Sequence, residues 1–141
     1  MTSSYGPVLK VFSEKEEAIP IRLQVLVIDR EYLIAMEAER ILLEAVPCAV
    51  QIAMPHDYAA TLEASRFDLV VIDAGVVEHG GSAIIERQHQ MGTAVIFTTL
   101  TNDSMDALPE FRGFANVAKP FVDEELLAAA TIAMKLPELD I

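Results

Sequence analysis

The feature that most constrains this chain is an alternation that begins at Leu23. Short runs rich in Val and Ile are separated by longer segments whose apolar residues recur with helical period. Strand, helix and strand in succession make a βαβ unit, and its repetition builds a parallel sheet covered by helices on both faces. The runs Leu23–Ile28, Cys48–Ala53, Leu69–Ile72, Ala94–Thr98 and Asn116–Ala118 are the expected strands, mainly apolar as buried parallel strands are. Helices are expected over Glu31–Ala45, about Pro55 to Ser65, Ser82–Gln90 and Asp123–Lys135. In the first, Ile34, Ala38, Ile41, Leu42 and Ala45 share one stripe, while Glu37, Arg40 and Glu44 pair on another. Gly75, Gly80 and Gly81 read as a loop before the third helix. Pro109 limits any helix in Asn102–Phe111 to about two turns, so the region is expected to be mobile or irregular.

The chain has 141 residues, 52% of them apolar, which is enough for one domain with a real core. Residues 1–21 form an N-terminal extension, with a short helix or strand expected in Val8–Glu17, and residues 22–141 form the domain. No output domain is expected after the last helix. The net charge is −12, and it lies in the body of the domain, because residues 1–22 carry three acids and three bases. Such a surface repels phosphate backbones, so nucleic acid is not an expected partner. The single cysteine, Cys48, forms no internal disulfide and reads as a buried, inert thiol. No apolar run approaches the roughly 20 residues of a membrane helix, and no signal peptide is apparent, so a cytoplasmic protein without membrane contact is expected.

In a parallel α/β sheet the carboxyl ends of the strands converge on one crevice, where ligands bind. The residues just beyond those ends are Asp29, Arg30 and Glu31, then Asp73, then Thr98 and Thr99, then Lys119. Any one acid after a strand reads most simply as a helix N-cap. Two carboxylates, a hydroxyl and an ammonium at four strand ends instead fit a carboxylate that accepts a phosphoryl group. His56, His79 and His89 lack ligand spacing and read as surface histidines.

The stretches "RLQVLVIDREYLIAMEAERILLEA", "FDLVVIDAG", "AVIFTTL" and "NVAKPF" together resemble the receiver domain of bacterial two-component response regulators. The resemblance spans about Arg22–Met134 and implies a doubly wound, flavodoxin-like five-stranded sheet of order 2-1-3-4-5, as in chemotaxis regulators. It implies phosphotransfer from a histidine kinase or phosphotransfer protein. Asp73 matches the phosphoacceptor, Asp29 the first acid, Thr99 the switch hydroxyl and Lys119 the lysine, with a cis peptide at Lys119-Pro120. The implied cofactor is magnesium, held by Asp29, Asp73 and the backbone carbonyl of Gly75, a role any side chain permits. Output through a downstream protein target, and often dimerisation, uses the face of the fourth helix, fifth strand and fifth helix.

The chain departs from that pattern at the acidic pocket. Arg30 stands where the family places the second acid, its usual direct magnesium ligand, and a guanidinium cannot bind a cation. Glu31 is a candidate substitute, though its position normally faces away. Leu100 replaces a small residue after the switch hydroxyl, and Asn116 replaces the aromatic that turns inward on activation. The expected function is therefore that of an atypical stand-alone receiver in phosphorelay signalling. Arg30 acts in it as a built-in cation, metal-dependent phosphorylation at Asp73 is weakened, and the output passes through protein contact. Such a domain is not an enzyme beyond accepting and hydrolysing a phosphoryl group. The alternative is a flavodoxin-like small-molecule-binding module or hydrolase on the same fold. Against it, the loop after the first strand lacks the glycines that cradle a phosphate, and no G-x-S-x-G elbow is present.

Overall fold

The computed structural model describes residues 10–12, 18–20, 22–101 and 104–135. Five strands form one parallel sheet: β1 (Leu23–Ile28), β2 (Cys48–Ala53), β3 (Leu69–Asp73), β4 (Ala94–Thr99) and β5 (Ala115–Ala118). Their spatial order is β2-β1-β3-β4-β5, the order expected from the sequence. The helices are α1 (Tyr32–Ala45), α2 (Tyr58–Ala64), α3 (Ala74–Glu78), α4 (Ser82–Gln90) and α5 (Asp123–Met134). Two additional short strands, Lys10–Phe12 and Ala18–Pro20, pair antiparallel with each other and form a separate ribbon within the N-terminal extension. No helix among the described residues is long and apolar enough to cross a membrane.

The sheet divides the core by strand alternation. Val25 and Val27 of β1, Leu69 and Val71 of β3, Ile96 of β4 and Val117 of β5 pack on one side with Ala38, Ile41 and Leu42 of α1 and Leu126, Leu127 and Ala130 of α5. Leu26 and Ile28, Val70 and Ile72, and Val95 and Phe97 point to the other side, against Leu62 of α2, Val76 of α3 and Ile85 of α4. Both faces of β1 and β3 are therefore buried, which is why their sequences read as apolar runs. Arg40 of α1 holds Glu37 at 2.6 Å and Glu44 at 3.0 Å, as their spacing predicts, and reaches Asp123 at the start of α5 at 3.3 Å.

Two expectations need correction. Gly75 does not lie in a loop: it is the second residue of α3, which starts directly at the end of β3. Pro55 does not start α2, because residues 55–57 form a turn and the helix begins at Tyr58. The described residues between β4 and β5 are irregular, as Pro109 predicts, and form two short 3-10 turns, Ser104–Ala107 and Pro109–Phe111. Pro109 fills the first position of the second turn, where its missing N–H costs nothing.

That irregular segment is anchored by aromatic packing. Phe111 is fully buried, its ring centroid 4.8 Å from that of Phe97 and 5.2 Å from that of Phe114. Truncating a buried Phe loses its transfer free energy and leaves a cavity, so Phe111→Ala is expected to cost about 3–5 kcal/mol of stability, measured by urea unfolding. Cys48 is buried on β2, and burial pushes its thiol up to about 11. It should therefore resist a thiol reagent at pH 8 in the folded protein and react promptly once unfolded.

Candidate functional site

The carboxyl ends of β1, β3 and β5 deliver three charged groups into one crevice. Asp29 follows β1, Asp73 ends β3 and Lys119 follows β5. All three side chains are almost fully buried, with 4%, 3% and 4% of their surface exposed. The Lys119 ammonium lies 2.9 Å from Asp29 Oδ2 and 3.6 Å from Asp73 Oδ1. The other Asp29 oxygen accepts the Glu31 backbone N–H at 2.8 Å. This local turn fixes the Asp29 carboxylate and starts α1 from the same residues. The Lys119-Pro120 peptide is cis, and the Lys119 N–H donates to the Thr99 carbonyl at 2.8 Å.

Arg30 supplies the fourth charge. Its Nε donates to Asp73 Oδ2 at 2.7 Å and one terminal nitrogen to Oδ1 at 3.3 Å, a two-pronged contact matched to the planar carboxylate. Asp73 Oδ1 also accepts the Gly75 N–H at 3.0 Å, so the same carboxylate caps α3. Burial alone pushes the Asp73 carboxyl up, but the Arg30 guanidinium, the Gly75 N–H and the Lys119 charge together outweigh it and hold the group below the usual range. The hydrogen bond and charge of Asp73 in turn raise the Arg30 guanidinium. About half of the Arg30 side chain, 49%, remains exposed, so one face of the ion pair is open to water.

Gly75 takes its meaning from this contact. A Cβ built on it would meet an Arg30 terminal nitrogen at 2.5 Å and the guanidinium carbon at 2.6 Å. A glycine in a helix is about 1 kcal/mol less favourable than alanine, and here the missing side chain leaves room for the guanidinium. The Gly75 carbonyl lies 2.9 Å from His79 Nδ1. Since a carbonyl only accepts, Nδ1 carries the proton in that contact. The role of the Gly75 carbonyl sets no demand on the side chain, but the docked guanidinium does: with Arg30 in this position there is no room for a Cβ at position 75.

The expected residues are only partly assembled. Asp29, Arg30, Asp73 and Lys119 are brought together, and with Glu31, Ile34 and Leu100 they line a cavity of about 200 Å³. Glu31 is exposed at its mouth. Leu100 is also exposed there, at 64%. Thr99 is buried and is not among the lining residues. Thr98 pairs in register with Asp73, and its buried hydroxyl has no hydrogen-bond partner among the described residues. Asn116 is exposed on β5. Sequence reasoning missed the roles of His79 and of Gly75 as a spacer. Their signal was the short interval from Asp73 to Gly75 and on to His79, legible only once a helix is assigned there.

The cavity is smaller than the roughly 300–1,000 Å³ usual for small-molecule sites, which weighs against the ligand-binding alternative. A larger groove of about 520 Å³ lies around the amino ends of β1 and β4, lined by Leu23, Asp68, Thr93 and Ala94 among others. Two of its polar groups are engaged within the fold: Asp68 Oδ2 accepts the Gln24 N–H at 2.7 Å, and the Thr93 hydroxyl donates to the Phe67 carbonyl at 3.2 Å.

No model of a protein family and no curated protein matches this sequence. Solved structures do match its fold. A response regulator receiver protein from Burkholderia phymatum superposes with a TM-score of 0.67 at 19% identity, covering 83% of this chain and 98% of that one. The signal receiver domain of an HD-domain protein from Pseudomonas fluorescens gives 0.66 at 20% identity, covering 82% and 96%. A chemotaxis response regulator of Vibrio cholerae gives 0.64 at 18% identity, covering 80% and 99%. The chain therefore has the fold of response regulator receiver domains.

The two ion pairs differ in how much stability rests on them. Lys119→Ala leaves Asp29 buried without its partner and is expected to cost about 3–5 kcal/mol. Arg30→Ala also uncovers a buried carboxylate, but Asp73 keeps the Gly75 N–H and the Lys119 charge and water reaches the opened face, so it should cost less than Lys119→Ala. Urea unfolding of the two variants checks this order.

Proposed function

We propose that the chain is an atypical receiver module in two-component phosphorelay signalling, with Asp73 as phosphoacceptor and Arg30 in place of a metal-binding acid. The observation that carries this reading is the contact of Arg30 with both oxygens of a buried carboxylate at the end of the central strand. Asp73 attacks the phosphorus of a donor phosphohistidine, the P–N bond breaks, and the leaving imidazole nitrogen takes a proton. The product is an acyl phosphate on Asp73. Arg30 and Lys119 are the cations placed to meet its oxygens.

The donor set does not suit magnesium while Arg30 stays docked. One prospective ligand, Asp73, is bound to a guanidinium, Asp29 is bound to an ammonium, and the Gly75 carbonyl accepts from His79. A cation approaching Asp73 meets a fixed positive charge. The same contact restrains the nucleophile, since Arg30 must release one oxygen before Asp73 can attack. Phosphorylation is accordingly slow and only weakly dependent on metal, and the module works mainly as a protein-binding surface in the cytoplasm. The partners are a histidine kinase or phosphotransfer protein and a downstream protein target, with a second copy as a further candidate. The module is not an enzyme in the ordinary sense. Nucleic acid and membrane are not among the proposed partners: a net charge of −12 disfavours a phosphate backbone, and no described helix is long and apolar enough to cross a membrane.

Incubation with acetyl phosphate, followed by mass spectrometry, tests the reading. Wild-type protein should be labelled slowly at Asp73, with little acceleration by magnesium. Arg30→Asp should restore a magnesium-dependent rate about tenfold higher or more, on the scale of a metal contact worth a few kcal/mol. Rapid magnesium-dependent labelling of the wild type would contradict the role given to Arg30. No labelling of Asp73 in either protein would remove it as phosphoacceptor.

A further inference from the structure

We infer that Gly75 is the positioning residue that seats Arg30 on Asp73, so that the residue at position 75 decides whether the crevice is closed by its own arginine or open to an external cation. This rests on the reading of Arg30 as a built-in cation and carries it from one residue to a matched pair.

The space required is specific. A Cβ at position 75 would come within 2.5 Å of an Arg30 terminal nitrogen, 2.6 Å of the guanidinium carbon and 3.0 Å of the other terminal nitrogen. The conflict is with the whole head group. Nothing in the backbone of Gly75 explains the glycine, because it lies inside α3 and is absent from the positive-φ glycines, which are Gly80, Gly81, Gly92 and Gly113. The three atoms nearest the added Cβ all belong to the end of one flexible, half-exposed side chain. Alanine is therefore accommodated by moving the guanidinium away, and the helix stays in place. The Gly75 N–H that donates to Asp73 Oδ1 is also retained, since it belongs to the backbone. The effect of a methyl group therefore falls first on the Arg30–Asp73 contact.

The consequence is read in two ways. In ¹⁵N-labelled wild-type protein, the Arg30 Nε–H that donates to Asp73 at 2.7 Å should give a side-chain signal protected from exchange with water. In Gly75→Ala that protection should be lost, while the backbone amide spectrum keeps the folded dispersion. Magnesium titration should then show Gly75→Ala binding more tightly than wild type by roughly fivefold, the scale on which a half-exposed ion pair competes for its carboxylate. Arg30→Ala should show the same gain, and Arg30→Ala/Gly75→Ala no further gain. An unchanged Arg30 Nε–H signal in Gly75→Ala would overturn the role of Gly75, whatever the metal does. A lost signal with no gain in magnesium affinity in either Gly75→Ala or Arg30→Ala would uphold the seat and overturn the reading of Arg30 as a cation that displaces metal.

Discussion

The arrangement of the crevice depends on the balance of charge at the carboxyl ends of three strands, β1, β3 and β5. Asp29 and Asp73 bring two negative charges into a setting where their side chains are 4% and 3% exposed, and Lys119 returns one positive charge. One negative charge is left over, and an unbalanced buried carboxylate is costly. The Arg30 guanidinium supplies the missing charge, from a side chain long enough to stay half in water while its head group reaches Asp73. The balance that an external cation would otherwise provide is met within the chain. The glycine in α3 and the exposed leucine at the mouth are then features of a site closed by its own arginine.

The scaffold holds these groups in place through packing. Burial of both faces of β1 and β3 fixes the register of the sheet, and the register sets Asp29 and Asp73 at adjacent strand ends. Lys119 is held by its backbone bond to Thr99 as well as by Asp29. Among the described residues Arg30 has no comparable anchor besides Asp73 and the open space over Gly75. It is the one member of the group able to leave without unmaking the fold, which makes it the natural moving part.

Most of the fold was legible in the sequence because parallel strands buried on both sides leave uninterrupted apolar runs. The ends of β1 and β2 match the expectation residue for residue. The errors fell where a tertiary cause overrides a local signal. Gly75 reads as loop punctuation, but its reason is a guanidinium that arrives from the end of a different strand. Pro55 and Asp57 resemble a helix start, yet the turn at 55–57 delays it. Pro109 did forecast the irregular region, whereas the aromatic packing of Phe97, Phe111 and Phe114 that anchors it has no short-range signature. In the site, charge type and position at the strand ends foretold Asp29, Arg30, Asp73 and Lys119. Thr99 carries no charge to mark it and rested on the resemblance alone; it is buried at the end of β4, where its carbonyl accepts the Lys119 N–H.

The most direct test of the central claim is a crystal structure obtained in the presence of magnesium and beryllium fluoride. The account predicts that the Arg30 guanidinium remains on Asp73, above the bare backbone of Gly75, with no metal bridging Asp29 and Asp73. A magnesium ion coordinated by both carboxylates and the Gly75 carbonyl, with Arg30 swung out into solvent, would contradict it.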